Sequence, residues 1–398
     1  MGSATEDSTT GTARLGADER LRSIDTLRGI AIVFMALDHT RTFWGLTQFS
    51  PEDPAQTSVA WFFTRWVTHF CAPVFVFLTG LSAYLYGAKG RTRKELSVYL
   101  LSRGLWLIVL ELTIINASWR FAVGEIFFLT VIWAIGCSMI LLAGLIWLPR
   151  NLILGLAVIL IGGHNAFDGL QPESFGQFSW LWNFLHVSGY VPLSDSFGFV
   201  VAYPVIPWCG VMALGYFFGP IVLQPDPARA RKLLIAGVGL IVLFIVLRTS
   251  NVYGDSERWT TQERGIVYTL LSFLKVTKYP PSLLFLCVTL GGGLILLVGL
   301  DKVTGRLVEF LATFGRVPLF FYLLHIPIAR LTGVLKNQLF YDRSIDPFGP
   351  PIDWPPNYDP RIWLVYIAWT ILLIVLYPAC KWFGAAKQKH LRSLLRYL

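Results

Sequence analysis

The side chains best suited to chemistry in this chain are a few ionisable groups set in otherwise apolar sequence. Asp38 and His39 stand side by side, with Arg41 following. Arg65 and His69 are four residues apart, which places them on one face of a helix. Glu111 interrupts a long apolar run, and His164, Asn165 and Asp168 close another. Lys278 and Tyr279 precede Pro280-Pro281-Ser282, and His325 follows Phe320-Phe321-Tyr322-Leu323-Leu324. An imidazole poised near neutral pH serves acyl transfer as a general base or an acyl acceptor when a second group orients it. Neighbouring residues on a helix do not face each other, so Asp38 is a poor partner for His39. A carboxylate from another segment, Glu111 or Asp168, is the better orienting group. Arg65, His164, Asn165, Lys278, Tyr279 and His325 then read as substrate-binding groups. Each residue also has a plainer reading. Asp38 to Arg41 fits a helix end wetted by lipid headgroups. His69 fits a bond to backbone freed by Pro73. His164 fits a hydrogen bond to Asp168, Lys278 a snorkelling side chain, and His325 an interhelical bond.

Those residues need a scaffold, and the composition names it. Of the 398 residues 55% are hydrophobic and only 14% are charged, and mean hydropathy is +0.58. A soluble domain carries about 25% charged residues, so an ordinary soluble enzyme, a disordered chain and a nucleic-acid binder are excluded. Recurrent apolar stretches predict an all-α, polytopic helical membrane protein of about ten transmembrane helices. The spans fall near 27–44, 66–87, 98–117, 127–148, 152–168, 198–222, 232–249, 282–300, 314–335 and 361–383. They form a single domain over 20–385, between a disordered polar tail at 1–19 and a basic tail at 386–398. Lys and Arg gather in alternate linkers, which predicts cytoplasmic N- and C-termini by the positive-inside rule and explains the net charge of +9. The segments near 250–281 and 336–360 break that rule with Arg258, Arg264, Lys275, Lys278, Lys336 and Arg343, so their charges have other work.

With this topology most of the chemistry-bearing residues lie at one depth towards the outside, as around a shared pocket. Arg28, Arg103, Arg316 and His325 lie deeper or on the inner half. Arg103 and Arg316 suit the phosphates of a cofactor arriving from the cytoplasm; pairing with Asp25 or Glu309 is the structural alternative. The five cysteines form no CxxC pair and read as buried thiols. No HExxH or carboxylate–His cluster marks a metal site. Gly291-Gly292-Gly293 sits inside a span and reads as close helix packing.

Arg20-Leu21-Arg22-Ser23-Ile24-Asp25-Thr26-Leu27-Arg28-Gly29-Ile30-Ala31 with Met35, and Pro73-Val74-Phe75-Val76-Phe77-Leu78-Thr79-Gly80, resemble the opening of the heparan-α-glucosaminide N-acetyltransferase family. Thr68-His69-Phe70-Cys71-Ala72-Pro73, Lys278-Tyr279-Pro280-Pro281-Ser282 and Phe314-Gly315-Arg316-Val317-Pro318 extend the likeness over nearly the whole chain, to a bacterial branch grouped with that catalytic domain. The resemblance implies a multi-pass acyltransferase of the cytoplasmic membrane. Acetyl-CoA or another acyl-CoA would be the donor, and an extracytoplasmic sugar or glycolipid the acceptor. It also implies a catalytic His on the outer side between the first two spans. Here the loop from Trp44 to Ser58 has no His. His39 falls where the characterised enzymes carry Asn, and His69 where they carry Asp. Either His39 or His69 takes the role, or the branch does different chemistry. The second class of function is a transporter or channel for a small solute or lipid, with the same polar layer as its binding site or proton relay. Membrane lipid is the expected surrounding in both cases, and oligomerisation stays open.

Overall fold

The computed structural model describes residues 6–121, 124–195, 197–343, 345–348, 354–355 and 358–389, with side chains from residue 22 onward. The chain is mostly helical. Its helices are α1 (Glu6–Trp44), α2 (Val59–Trp66), α3 (Cys71–Gly87), α4 (Arg93–Leu110), α5 (Asn116–Arg120), α6 (Val131–Leu145), α7 (Arg150–Gly162), α8 (Ser179–Leu185), α9 (Val205–Val222), α10 (Ala228–Ser250), α11 (Ile266–Leu274), α12 (Leu283–Leu300), α13 (Arg306–Gly315), α14 (Pro318–Tyr341) and α15 (Ile362–Lys389). A 3-10 turn over Val67–Phe70 joins α2 to α3, and a π turn over Glu111–Ile115 joins α4 to α5. Among the described residues seven helices, counting these joined pairs as one each, are long and apolar enough to cross a membrane. α6 and α7, with 15 and 13 residues, are shorter than the roughly 20 a full crossing takes. α1, with 39 residues, is about 58 Å long at 1.5 Å per residue. Residues 6–19 of the expected tail continue α1, and 386–389 continue α15. The expectations for 1–5 and 390–398 lie outside the described residues.

Two expected spans begin as strands instead. β1 (Ile126–Leu129) runs parallel to β3 (Gly198–Val201), and β2 (Gly189–Pro192) pairs antiparallel with the other edge of β3. Ile-Phe-Phe-Leu and Gly-Phe-Val-Val are rich in aromatic and β-branched residues. Short apolar runs of this kind have no periodicity that separates a strand from a helix. The strands hand Thr130 and Ala202 directly to the region where the polar side chains meet.

Helices meet backbone to backbone at glycines. A Cβ at Gly29 would sit 1.9 Å from the Leu311 carbonyl oxygen, and one at Gly315 would sit 1.8 Å from that of Asp25, so α1 and α13 touch without side chains between them. Gly80 and Gly215 do the same for α3 and α9, each 2.0 Å from the opposite carbonyl oxygen. Lipid tails give helices no hydrophobic reason to associate, so such close contact is where the packing energy comes from. In the Gly291-Gly292-Gly293 run, Gly291 faces the Gly237 carbonyl, the close packing its position in a span suggests.

Candidate functional site

α1 is the axis of the site. Its residues Asp38, His39, Arg41 and Thr42 line a cavity of about 390 Å³. Ser50, Pro51 and Glu52 close one wall, and Arg65 of α2 lies beside them. Thr130 and Val131 follow β1, Ala202 and Tyr203 follow β3, and Tyr279, Tyr322, Trp119, Phe128 and Phe348 complete the lining. The loop that carries Glu52 is pinned from outside the cavity. Arg264 Nη1 donates to the carbonyls of Pro54 and Thr57, both at 2.8 Å. The segment that carries Lys278 and Tyr279 is held by Asp255, which accepts from the Thr277 hydroxyl and the Ser282 hydroxyl, both at 2.7 Å. These contacts account for part of the basic charge that the 250–281 segment keeps against the positive-inside rule.

A compact ionic network sits at this cavity. Arg65 Nη1 donates to both Asp38 oxygens at 2.7 and 2.9 Å, and its Nε to Glu52 Oε2 at 3.2 Å. Arg41 Nη2 donates to Asp38 Oδ1 at 3.0 Å, and Lys278 Nζ stands 3.8 Å from Asp38 Oδ2. Three cations thus share two carboxylates. Asp38 is consumed by Arg65, Arg41 and Lys278, so it neutralises these cations and does not orient His39. His69 Nε2 lies 2.7 Å from Glu52 Oε1. Burial pushes the Glu52 carboxyl up, but His69 and Arg65 outweigh it and hold it well below the usual carboxylate range. Burial likewise raises the Tyr279 phenol while Lys278 and Arg65 pull it lower, with a net downward shift.

His39 has a different partner. Its Nδ1 lies 2.6 Å from His325 Nε2, with the two rings stacked, and His325 Nδ1 lies 3.0 Å from the Phe321 carbonyl oxygen. A carbonyl only accepts, so the proton of neutral His325 is on Nδ1 and its Nε2 is a lone pair. His39 Nδ1 must then donate. That leaves neutral His39 with a lone pair on Nε2. Trp119 packs edge-on against the His39 ring at 4.8 Å, which fixes its plane.

A second cavity, of about 220 Å³, lies further towards the N-terminus of α1. Arg28 and Met35 of α1, Arg103 and Leu107 of α4, Ile132 and Met139 of α6, and Pro318 and Leu319 of α14 are in its wall. Val131 and Tyr322 line both cavities. Tyr322 is 3% exposed, and its hydroxyl lies 3.3 Å from Thr130 Oγ1. Arg28 and His39 are eleven residues apart, about 16 Å along the helix axis. The two cavities therefore lie at successive levels along α1 and share Val131 and Tyr322 in their walls.

Residues 20–253 match the model of the heparan-alpha-glucosaminide N-acetyltransferase catalytic family, more than half of the chain. The chain belongs to that family. It is a membrane acetyltransferase family, and the match covers α1, the Glu52 loop, Arg65, Arg103 and the strands, but not Tyr279, Tyr322 or His325. No curated protein matches the chain.

The two cavities do not take in every residue the sequence marks out. Glu111 is fully buried: its Oε1 accepts from Thr130 N at 2.7 Å, capping the start of α6, while its Oε2 is buried with no hydrogen-bond partner among the described residues. A π turn begins at Glu111, and the hydrogen-bond partner of the His39 ring is His325, not Glu111. Asp168 accepts from Asn165 and lies 3.2 Å from His186 Nε2; it orients neither His39 nor His69. His164 bridges the Ile161 and Pro281 carbonyls at 2.9 and 2.8 Å, and Asn165 accepts from Leu283 N at 2.8 Å. These residues tie α7 to the start of α12, outside the lining of either cavity. The polar residues thus fall into two groups, one ionic at the His39 cavity and one that ties α7 to α12. Arg103 lines the second cavity, whereas Arg316 is 42% exposed at its side chain and pairs with Glu309 at 3.3 Å and Asp25 at 3.8 Å. Arg28 lies in the same wall as Arg103, with its guanidinium bonded to Asp25 Oδ1 at 2.9 Å, the Gly315 carbonyl at 3.0 Å and the Ser82 hydroxyl at 3.1 Å. Glu52, Tyr322 and Arg28's role were not singled out. Glu52 was detectable as an acidic residue in a loop devoid of Lys and Arg facing a layer rich in cations. Among the described residues no group of three or more His, Cys, Asp or Glu is placed to hold a metal ion.

Proposed function

We propose that the chain passes an acyl group, acetyl in the simplest case, from cytosolic acyl-CoA to a sugar or glycolipid on the opposite side of the cytoplasmic membrane. The observation that carries this reading is the pair of cavities meeting at Tyr322 and Val131, with His39 beside the junction. One chamber serves a donor and the other an acceptor. The residues fit a CoA thioester. Arg103 supplies a guanidinium that matches phosphate oxygens, Arg28, held by Asp25, Gly315 and Ser82, adds positive charge beside it, and the Met35, Leu107, Ile132, Met139 and Leu319 wall suits the apolar part of a pantetheine arm. At about 220 Å³ the chamber is below the roughly 300–1,000 Å³ that encloses a drug-sized ligand, so it takes the arm and leaves the nucleotide at its mouth. Acyl-CoA supplies an activated carbonyl.

His39 is the general base. Its Nε2 lone pair takes the proton of the acceptor's amine or hydroxyl, and the imidazolium keeps its second proton on Nδ1 against His325. His69 is 1% exposed behind Glu52 and positions that carboxylate. Arg65, Arg41 and Lys278 with Asp38 and Glu52 offer a sugar both donors and acceptors, and Trp119, Phe128 and Tyr279 offer ring faces. Tyr322 places a hydroxyl where donor and acceptor meet. With the N-terminus in the cytoplasm, the Arg28 chamber is the inner one.

Titration of the purified, detergent-solubilised protein with acetyl-CoA by calorimetry tests the donor side, and acceptor-dependent release of CoA thiol against a panel of amino sugars tests the reaction. Saturable binding weakened by Arg103→Ala is expected. A folded protein that binds no acetyl-CoA, or proteoliposomes that carry a solute without CoA, would replace this reading with transport.

A further inference from the structure

Lys336 of α14 is 5% exposed, and among the described residues no carboxylate lies within 4 Å of its ammonium. Among the described residues its Nζ neighbours are neutral: the Trp44 carbonyl at 3.2 Å, the Tyr358 hydroxyl at 3.5 Å, and the rings of Tyr358 and Tyr341 at 5.0 and 5.7 Å. An ammonium withdrawn from water without a counter-ion costs several kcal/mol, and carbonyl and ring contacts repay only part of it. The ammonium faces a cavity of about 160 Å³, whose wall also includes Arg361, Asp359 and Phe340. Arg361 spends its Nε on Asp359 at 3.0 Å, which leaves the two terminal nitrogens of its fork. Among the described residues the lining is therefore one positive charge in excess. Water occupies about 30 Å³ in the liquid, so the cavity has room for a phosphate group. Its surroundings are apolar: Leu335, Leu339 and Phe340 of α14 and Trp363 and Ile367 of α15 are 49 to 83% exposed, as side chains facing lipid are.

We propose that this cavity, at the end of α14 and the start of α15, binds a phosphate-bearing anion between Lys336 and Arg361. The recognition is charge-assisted hydrogen bonding from one buried ammonium and one half-exposed guanidinium. The lipid-facing side chains at its rim favour the headgroup of an anionic phospholipid as the natural source. The site is separate from the His39 cavity and does not depend on the acyltransferase reading.

The full-length protein in delipidated detergent micelles is titrated with short-chain phosphatidylglycerol, phosphatidylcholine or inorganic phosphate, with thermal stability and native mass spectrometry as readouts. Phosphatidylglycerol is expected to raise the melting temperature and remain bound to the released protein. Lys336→Met and Arg361→Gln should each weaken that binding about tenfold or more, and Lys336→Arg should retain it. A response to inorganic phosphate alone, lost in the same variants, would assign the site to a soluble phosphate. Arg361→Gln guards against Lys336→Met failing to fold. Retention of phosphatidylglycerol unchanged in both variants, or no response to either probe, overturns the proposal.

Discussion

Replacing His325 by Leu tests the assignment of His39 as base without touching His39. The change removes the acceptor 2.6 Å from His39 Nδ1 and leaves a buried N–H unsatisfied, at a cost of about 1–3 kcal/mol. The imidazole escapes that cost by moving its proton to Nε2, which is the atom that must be bare to accept one. If the whole penalty falls on the reactive tautomer, kcat drops about 5- to 150-fold, since 1.36 kcal/mol is a factor of ten. The KM for acyl-CoA should stay as it was, because His325 does not line the Arg28 cavity. His325→Gln restores an acceptor oxygen with an N–H on the same group and should recover most of the rate. The assay is single-turnover transfer from radiolabelled acetyl-CoA in nanodiscs, paired with nitrogen NMR of the His39 ring to read the tautomer directly. Full kcat in His325→Leu alongside an inactive His39→Ala would refute the relay. An active His39→Ala would refute the base itself.

Three further outcomes are expected. Arg103→Ala should raise the KM for acetyl-CoA about tenfold, the scale of a lost charge-assisted contact, while Arg316→Ala, outside the cavity, leaves it unchanged; steady-state kinetics distinguish them. Glu52 has a depressed pKa in the folded protein, so its stabilising contribution is complete above the unfolded value of about 4.3 and is lost only as pH falls through the lower folded value. Glu52→Gln should therefore cost about 1–3 kcal/mol at pH 7, with a melting-temperature gap that persists to pH 5 and closes only in stronger acid. Gly29→Ala forces α1 and α13 apart at a contact with no room for a methyl group. It should destabilise the protein by at least about 1–3 kcal/mol, read as a lower melting temperature in detergent, whereas Gly239→Ala, which meets nothing within 4 Å, should not.

The sequence made the helical membrane architecture legible because apolar runs of this length have few other uses. It did not reveal β1 and β3, because Ile126–Leu129 and Gly198–Val201 are too short for their period to speak. For the site, single residues were readable where charge in an apolar setting is costly: Asp38, His39, Arg65, His69, Arg103, Lys278, Tyr279 and His325 all fall in or beside the two cavities or their ionic network. Pairings were not readable. That His39 meets a residue 286 positions away, or that Glu52 and not Glu111 faces His69, depends on which helix faces cross, and a sequence alone carries no register between distant helices. Glu111 misled because a buried carboxylate capping a helix and one orienting a base look the same until its neighbours are placed.

The wall at Tyr322 and Val131 has an electrical meaning. On the proposed reaction the donor's sulfur stays on one side and the acceptor's nitrogen or oxygen stays on the other. What passes the wall is formally an acyl cation moving outward. If the proton collected by His39 returns through the same wall to the sulfur, the exchange is neutral and membrane voltage neither drives nor opposes it. If that proton leaves to the outside, each turnover carries one positive charge across the membrane, worth about 2.3 kcal/mol per 100 mV. A single buried hydroxyl therefore stands where the enzyme would be either indifferent to the cell's membrane potential or coupled to it.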